Sequence, residues 1–110
     1  MPLPFALDHI NLWLLEEGNG YTLVDCGYAN AEPRALWERH LTETLDGRPL
    51  VRIVATHCHP DHLGNAAWLA ERFGCTVTMT LGEFLTAHAI VDERAAHAPA
   101  DNCALFRAHG

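Results

Sequence analysis

The sequence predicts an α/β fold with a mixed sheet, and three observations predict it. The segments read in the order β-β-α-β-α-β-α, with strands and helices alternating after an opening hairpin. The 110 residues are 49% hydrophobic and 19% charged, a composition that builds a packed core and excludes a disordered tail. One buried-type strand runs directly into a polar loop, which is where α/β sheets present their sites.

Residues 7–15 read as a strand whose large apolar side chains are Ile10, Leu12, Trp13, Leu14 and Leu15, with His9 and Asn11 interleaved. Glu16, Glu17, Gly18, Asn19 and Gly20 are a turn cluster, so residues 21–26 complete a hairpin that Gly27 ends. A helix begins near Pro33, because a missing N–H has no partner to lose at a first helical position. Leu36, Trp37, Leu41 and Leu45 give that helix one apolar face, and Asp46, Gly47, Arg48 and Pro49 stop it. Residues 50–55 form a short strand. Leu63, Ala66, Ala67, Ala70 and Phe73 then repeat at helical spacing, with Gly74 as the C-terminal stop. Residues 75–80 alternate Cys, Val and Met with three threonines, as a strand does. Residues 82–94 read as a helix with Phe84, Leu85, His88, Ala89 and Val91 on one side, residues 95–100 as a break, and Asp101 as the cap of a last turn through Phe106. Trp13, Trp37 and Trp68 are assigned to the core rather than to a substrate platform.

Charge and cysteine usage narrow the function. Seven basic and fourteen acidic residues leave a net charge of −7, the wrong sign for a nucleic-acid surface. Every basic residue is Arg, which we read as the codon bias of a GC-rich genome. No apolar run approaches the roughly 18 residues of a membrane span. The start has Pro2 and Pro4 and no basic residue before Asp8, unlike a signal peptide. Cys26, Cys58, Cys75 and Cys103 include no C-x-x-C pair and are read as reduced, mostly buried thiols of a cytoplasmic protein. The expected partner is a small-molecule substrate, with no nucleic acid and no membrane.

The informative feature is the run Thr56-His57-Cys58-His59-Pro60-Asp61-His62, which holds three of the eight histidines. His57 and His59 are two apart where a strand gives out, so extended backbone projects both imidazoles to one side. Pro60 keeps His59 out of the helical region and turns the chain, and Asp61 and His62 follow at the opening of the next helix. Imidazoles and a carboxylate in one tight loop are a donor set for zinc, iron or manganese. Cys58, between the two histidines, faces the opposite side as a packed thiol, and Cys26 is given no chemistry. Asp25 closes a strand ahead of Gly27, a position that suits a turn-forming Asp.

These residues carry a resemblance. Leu23-Val24-Asp25-Cys26-Gly27 is close to the V-D-T-G of metallo-β-lactamase-fold hydrolases, and residues 56–65 are close to their T-H-x-H-x-D-H-x-G. Asn11-Leu12-Trp13-Leu14-Leu15 resembles their opening strand. The chain is similar to the N-terminal half of such an enzyme. The resemblance implies one partial domain over residues 1–110, half of an αββα sandwich whose mixed sheet carries helices on one face. It also implies a dinuclear site, usually zinc, that activates water. By resemblance, His57 and His59 bind the first ion and Asp61 and His62 the second. Asp61 also orients the bridging hydroxide as the catalytic carboxylate, and Asp25 supports the metal loop from behind. An Asp-His pair at 61–62 points to the glyoxalase II-like and lactonase-like branch, hence to ester, thioester or lactone substrates.

The family's three later ligands, a His, a bridging Asp and a last His, have no counterpart in context. His88 is read as packed on a helix face, His97 and His109 as solvated, and neither Asp92 nor Asp101 follows a strand. The expectation is therefore a half-site that holds metal weakly, with an uncovered sheet face open to self-association. Two other functions stay open. One is a non-catalytic metal-binding module. The other is a different use of the fold, either iron-based oxygen chemistry or phosphodiester cleavage, the latter disfavoured by the acidic balance.

Overall fold

The structure, a computed structural model, describes residues 1–92. The predicted helix end at Arg94, the 95–100 break and the turn capped by Asp101 lie outside them, as do His97, Cys103 and His109. The chain divides into two compact units, Met1–Met79 and Thr80–Gly110.

In the first unit, β1 (Trp13–Glu17), β2 (Gly20–Val24), β3 (Leu50–Val54) and β4 (Thr76–Thr78) form one sheet in that order. β1 and β2 are antiparallel, while β2–β3 and β3–β4 are parallel, so the sheet is mixed as predicted. Helix α1 (Ala31–Leu45) connects β2 to β3, and α2 (Pro60–Leu63) and α3 (Ala66–Phe73) connect β3 to β4. In the second unit, α4 (Leu81–Val91) starts at Thr80, whose hydroxyl accepts a bond from the Glu83 backbone N–H at 3.3 Å.

Several boundaries differ from the sequence reading, β4 shrinking to Thr76–Thr78 and β2 ending at Val24, and three differences have a clear local reason. The first strand begins at Trp13 because the residues before it pair with the N-terminus instead: Leu3 N–H donates to Asp8 O at 2.8 Å and Ile10 N–H to Met1 O at 2.9 Å. The hairpin turn narrows to Gly18-Asn19, since Glu17 already pairs with Gly20 and Gly18 supplies a φ of 53°. The helix predicted after the histidine loop is two helices, broken at Gly64 and Asn65. A Cβ on Gly64 would lie 2.3 Å from Pro60 O and 2.9 Å from Ala29 N, so the break is a close approach between two backbone segments.

The core lies on one face of the sheet. Leu23 and Ile53, neighbours across β2 and β3, are fully buried with Leu41 of α1 and Leu69 of α3. A register shift between Tyr21 and Thr22 lets both Leu50 and Ile53 reach this face and leaves Val51 and Arg52 outward. Pro33, Trp37, Leu41 and Leu45 form the buried stripe of α1. The opposite face carries the rows Trp13–Val24–Val54 and Leu15–Thr22–Arg52. Glu17 and Arg52 cover Thr22 through side-chain hydrogen bonds, but Trp13 and Leu15 stay 62% and 49% exposed. Trp13 is therefore not a core residue, because it lies on the outward side of the sheet's edge strand. Trp37 is buried as expected, and Trp68 packs at the margin of the core under the Arg34 guanidinium.

Truncating Ile53 leaves a cavity in the buried cluster it shares with Leu23, Leu41 and Leu69. Ile53→Ala is expected to lower the unfolding free energy by about 2–5 kcal/mol, read from urea denaturation, whereas Val51→Ala on the outward side is expected to change it by under about 0.5 kcal/mol.

Candidate metal centre

The site is built where two parallel strands end side by side. Val24 pairs with Val54, so Asp25 and Thr56 leave the sheet as neighbours at its carboxyl edge. Asp25 adopts a left-handed φ of 59°, which Asp tolerates better than most residues, and its N–H still donates to Val54 O at 2.9 Å. That turn aims a buried carboxylate at the histidine loop. Its Oδ1 accepts the Thr56 backbone N–H at 2.8 Å, and the Thr56 hydroxyl lies 3.0 Å from Oδ1 and 2.8 Å from Oδ2. Oδ2 also accepts from His62 Nδ1 at 2.8 Å. Burial, the largest single influence, would raise the Asp25 pKa. The bonds from His62 and from the backbone and side chain of Thr56 together outweigh it and hold the carboxyl below its usual range.

The backbone of the loop is stitched to the chain that follows β2. His62 O accepts two donors from one residue, Cys26 N–H at 2.8 Å and Cys26 Sγ–H at 3.0 Å. Burial, with the charges of Asp25 and Cys75 adding to it, pushes the Cys26 thiol up to about 12, so it keeps the proton it donates. Asn65 is fully buried, and its amide donates to Cys26 O at 3.2 Å, Gly27 O at 3.3 Å and Tyr28 O at 2.8 Å. Its Oδ1 accepts from Arg34 Nε at 3.2 Å. Trp37 Nε1–H adds a 2.8 Å bond to Cys26 O. Two fixed strips of backbone, 25–28 and 62–65, thus face each other across Gly27 and Gly64.

On this frame the predicted donors gather. The His57 ring lies 4.6 Å from that of His59 and 3.8 Å from that of His62, centroid to centroid. Asp61 Oδ2 lies 3.4 Å from His62 Nε2. As they stand, no three His, Cys, Asp or Glu side chains among the described residues form a group able to hold a metal ion. Three imidazoles and a carboxylate nevertheless fit a divalent cation by donor chemistry. The outer nitrogens of two rings are already occupied: His62 Nδ1 by Asp25, and His57 Nδ1 by the Thr56 oxygen at 3.0 Å. Such outer partners are how ligating histidines are oriented.

Other predicted features fall elsewhere. His88 sits on α4 beside Phe84, ring centroids 4.4 Å apart. None of Cys26, Cys58 and Cys75 is in a disulfide. A cavity of about 370 Å³ between the N-terminal segment and α1, lined by Leu12, Leu36, Trp37 and His40 among others, contains none of the loop donors. Thr56, Cys26 and Asn65 are the contributors that sequence reasoning passed over. Their only signal was position, at the two borders of the histidine loop and immediately after Asp25.

Residues 6–97 match the family described as the Metallo-beta-lactamase superfamily. A beta-lactamase domain protein from Burkholderia ambifaria superposes with a TM-score of 0.74 at 46% identity, covering 82% of this chain and 29% of that one. A metallo-beta-lactamase family protein from Thermus thermophilus superposes with a TM-score of 0.78 at 34% identity, covering 99% of this chain and 36% of that one. The uncharacterized protein YobT of Bacillus subtilis (strain 168) is 33% identical over 70 residues, 62% of this chain and 28% of YobT. The chain thus spans between 28% and 36% of the length of these relatives.

The Asp25 network has a measurable pH signature. Because its folded pKa is depressed, its contribution is complete above the ordinary carboxyl value of about 4 and fades as pH falls through the lower folded value. Asp25→Asn is expected to cost about 2–3 kcal/mol at pH 7. The gap to the wild type should close as denaturation is repeated at pH values falling below about 4.

Proposed function

This chain belongs to the metallo-beta-lactamase superfamily, and on that premise we propose that residues 57–62 are the metal-binding loop of a metal-dependent hydrolase. The observation that carries the reading is the bond from His62 Nδ1 to buried Asp25 beside a cluster of three imidazoles. A neutral imidazole that donates from Nδ1 has its lone pair on Nε2, the atom that faces Asp61. His57 and His59 are assigned to one divalent ion, and Asp61 and His62 to a second. Zinc is the expected metal, and iron or manganese suits the same donors. When bound, such an ion supplies Lewis acidity and lowers a water's pKa towards about 7.

The chain's own residues supply position. Asp25 remains ionised and keeps the His62 proton on Nδ1. The Cys26 and Asn65 bonds fix the loop backbone, so the donors are placed with little freedom left to lose. Asp61 accepts a hydrogen bond from the attacking water and aligns it with the carbonyl of an ester, thioester or lactone. The acidic surface and absence of Lys speak against a nucleic-acid phosphodiester. Thiols outside any disulfide support a cytoplasmic setting. No helix among the described residues is long and apolar enough to cross a membrane. The outward face with Trp13 and Leu15 supports self-association of a partial domain. A second reading is a metal-binding module without catalysis, in which the same donors hold an ion and no water is activated.

Zinc titration by calorimetry tests the shared premise. Binding is expected, and His57→Ala and Asp61→Asn should each weaken it at least about tenfold, or about 1.4 kcal/mol. Unchanged affinity in both variants would contradict the site. Assays of lactone, thioester and aryl-ester hydrolysis separate the two readings. This chain alone is expected to be nearly inactive; in a chain extended to the length of its relatives, turnover abolished by chelator and by Asp61→Asn supports the hydrolase, zinc binding without turnover supports the module, and chelator-insensitive turnover contradicts both.

A further inference from the structure

Thr56 occupies a place in the site that the donor assignment leaves unexplained. Its hydroxyl oxygen lies within hydrogen-bond distance of both Asp25 oxygens, at 3.0 and 2.8 Å, and of His57 Nδ1 at 3.0 Å. A hydroxyl has one proton and two lone pairs. The Asp25 carboxylate can only accept, so the hydroxyl proton points to Asp25. The oxygen therefore offers a lone pair to His57, and His57 Nδ1 must carry a proton to bond with it. We infer that Thr56 is a positioning residue whose hydroxyl passes the charge of Asp25 on to His57 and fixes that ring in the Nδ1-protonated tautomer.

Two consequences follow from the geometry. One carboxylate sets two rings, His62 directly and His57 through the hydroxyl, and both present Nε2 lone pairs. The tautomer is also the reverse of the one a neutral histidine side chain prefers in water, so its presence reports the relay rather than a default. The inference rests on the metal reading only for its effect on affinity; the tautomer is a property of the metal-free chain.

The test uses long-range ¹H–¹⁵N imidazole spectra of the whole chain near about pH 8, where ordinary histidines are neutral, for the wild type, Thr56→Ser and Thr56→Val. Valine keeps the side chain's shape and the backbone N–H that donates to Asp25, but has no hydroxyl. The wild type and Thr56→Ser are expected to show His57 protonated on Nδ1. Thr56→Val should show it mainly on Nε2, with His62 on Nδ1 in all three. Zinc affinity should fall at least about tenfold in Thr56→Val and stay within about twofold in Thr56→Ser. His57 protonated on Nε2 in the wild type overturns the inference, whether or not the valine variant folds. So does an unchanged His57 tautomer in Thr56→Val, or a loss of the His62 tautomer alongside that of His57. A wild type with the expected tautomers that binds no zinc supports the relay and defeats the metal reading instead.

Discussion

Everything in the candidate site hangs on the buried carboxylate of Asp25. It terminates β2, bends the chain with a left-handed residue, and collects the N–H and hydroxyl of Thr56 and the ring of His62. Left without those donors, an ionised group at this depth would cost several kcal/mol. Given them, it stays charged, and in the proposed reading its charge sets which nitrogens of the neighbouring imidazoles carry protons. The bond from His62 clamps the loop to the end of β2, and the proposed metal site is built on that clamp.

The sheet makes that clamp geometrically easy. Parallel β2 and β3 end level with each other, so the residues that follow them, Asp25 and Thr56, meet without any long detour of the chain. The return path is secured separately. Cys26 gives two donors to the carbonyl of His62, and Asn65 gives its amide to three successive carbonyls beyond Asp25. Gly64 lets these strips approach, because a side chain there would collide with backbone on the facing strip. Hydrophobic burial of Leu23, Ile53, Leu41 and Leu69 holds the strands from below. The polar stitches decide where the loop sits above them.

Much of this was legible in the sequence. Alternation and turn residues were enough for the hairpin, the apolar stripe of α1 and the strand that feeds the histidine loop. The proposed donors His57, His59, Asp61 and His62 stand out in the sequence by their spacing, and Asp25 through the resemblance its motif carries. What stayed hidden were effects that depend on tertiary contact. The first strand begins later than the sequence suggests because Leu7 and Ile10 extend the apolar pattern of residues 12–15, yet residues 8–10 pair with the N-terminal segment instead. Trp13 was placed in the core because size alone suggested burial, whereas the face it occupies depends on strand register. The roles of Thr56, Cys26 and Asn65 come from long-range hydrogen bonds between segments more than thirty residues apart, and no local pattern encodes such pairings.

In the proposed site, one carboxylate prepares two histidines to bind metal through the same ring nitrogen. Imidazole ¹⁵N spectra of the wild type recorded while zinc is added test it most directly. The account predicts that the Nε2 resonances of His57 and His62 move on binding while their Nδ1 atoms keep their protons. Zinc entering through Nδ1 of either ring, or displacing His62 from Asp25, would contradict it.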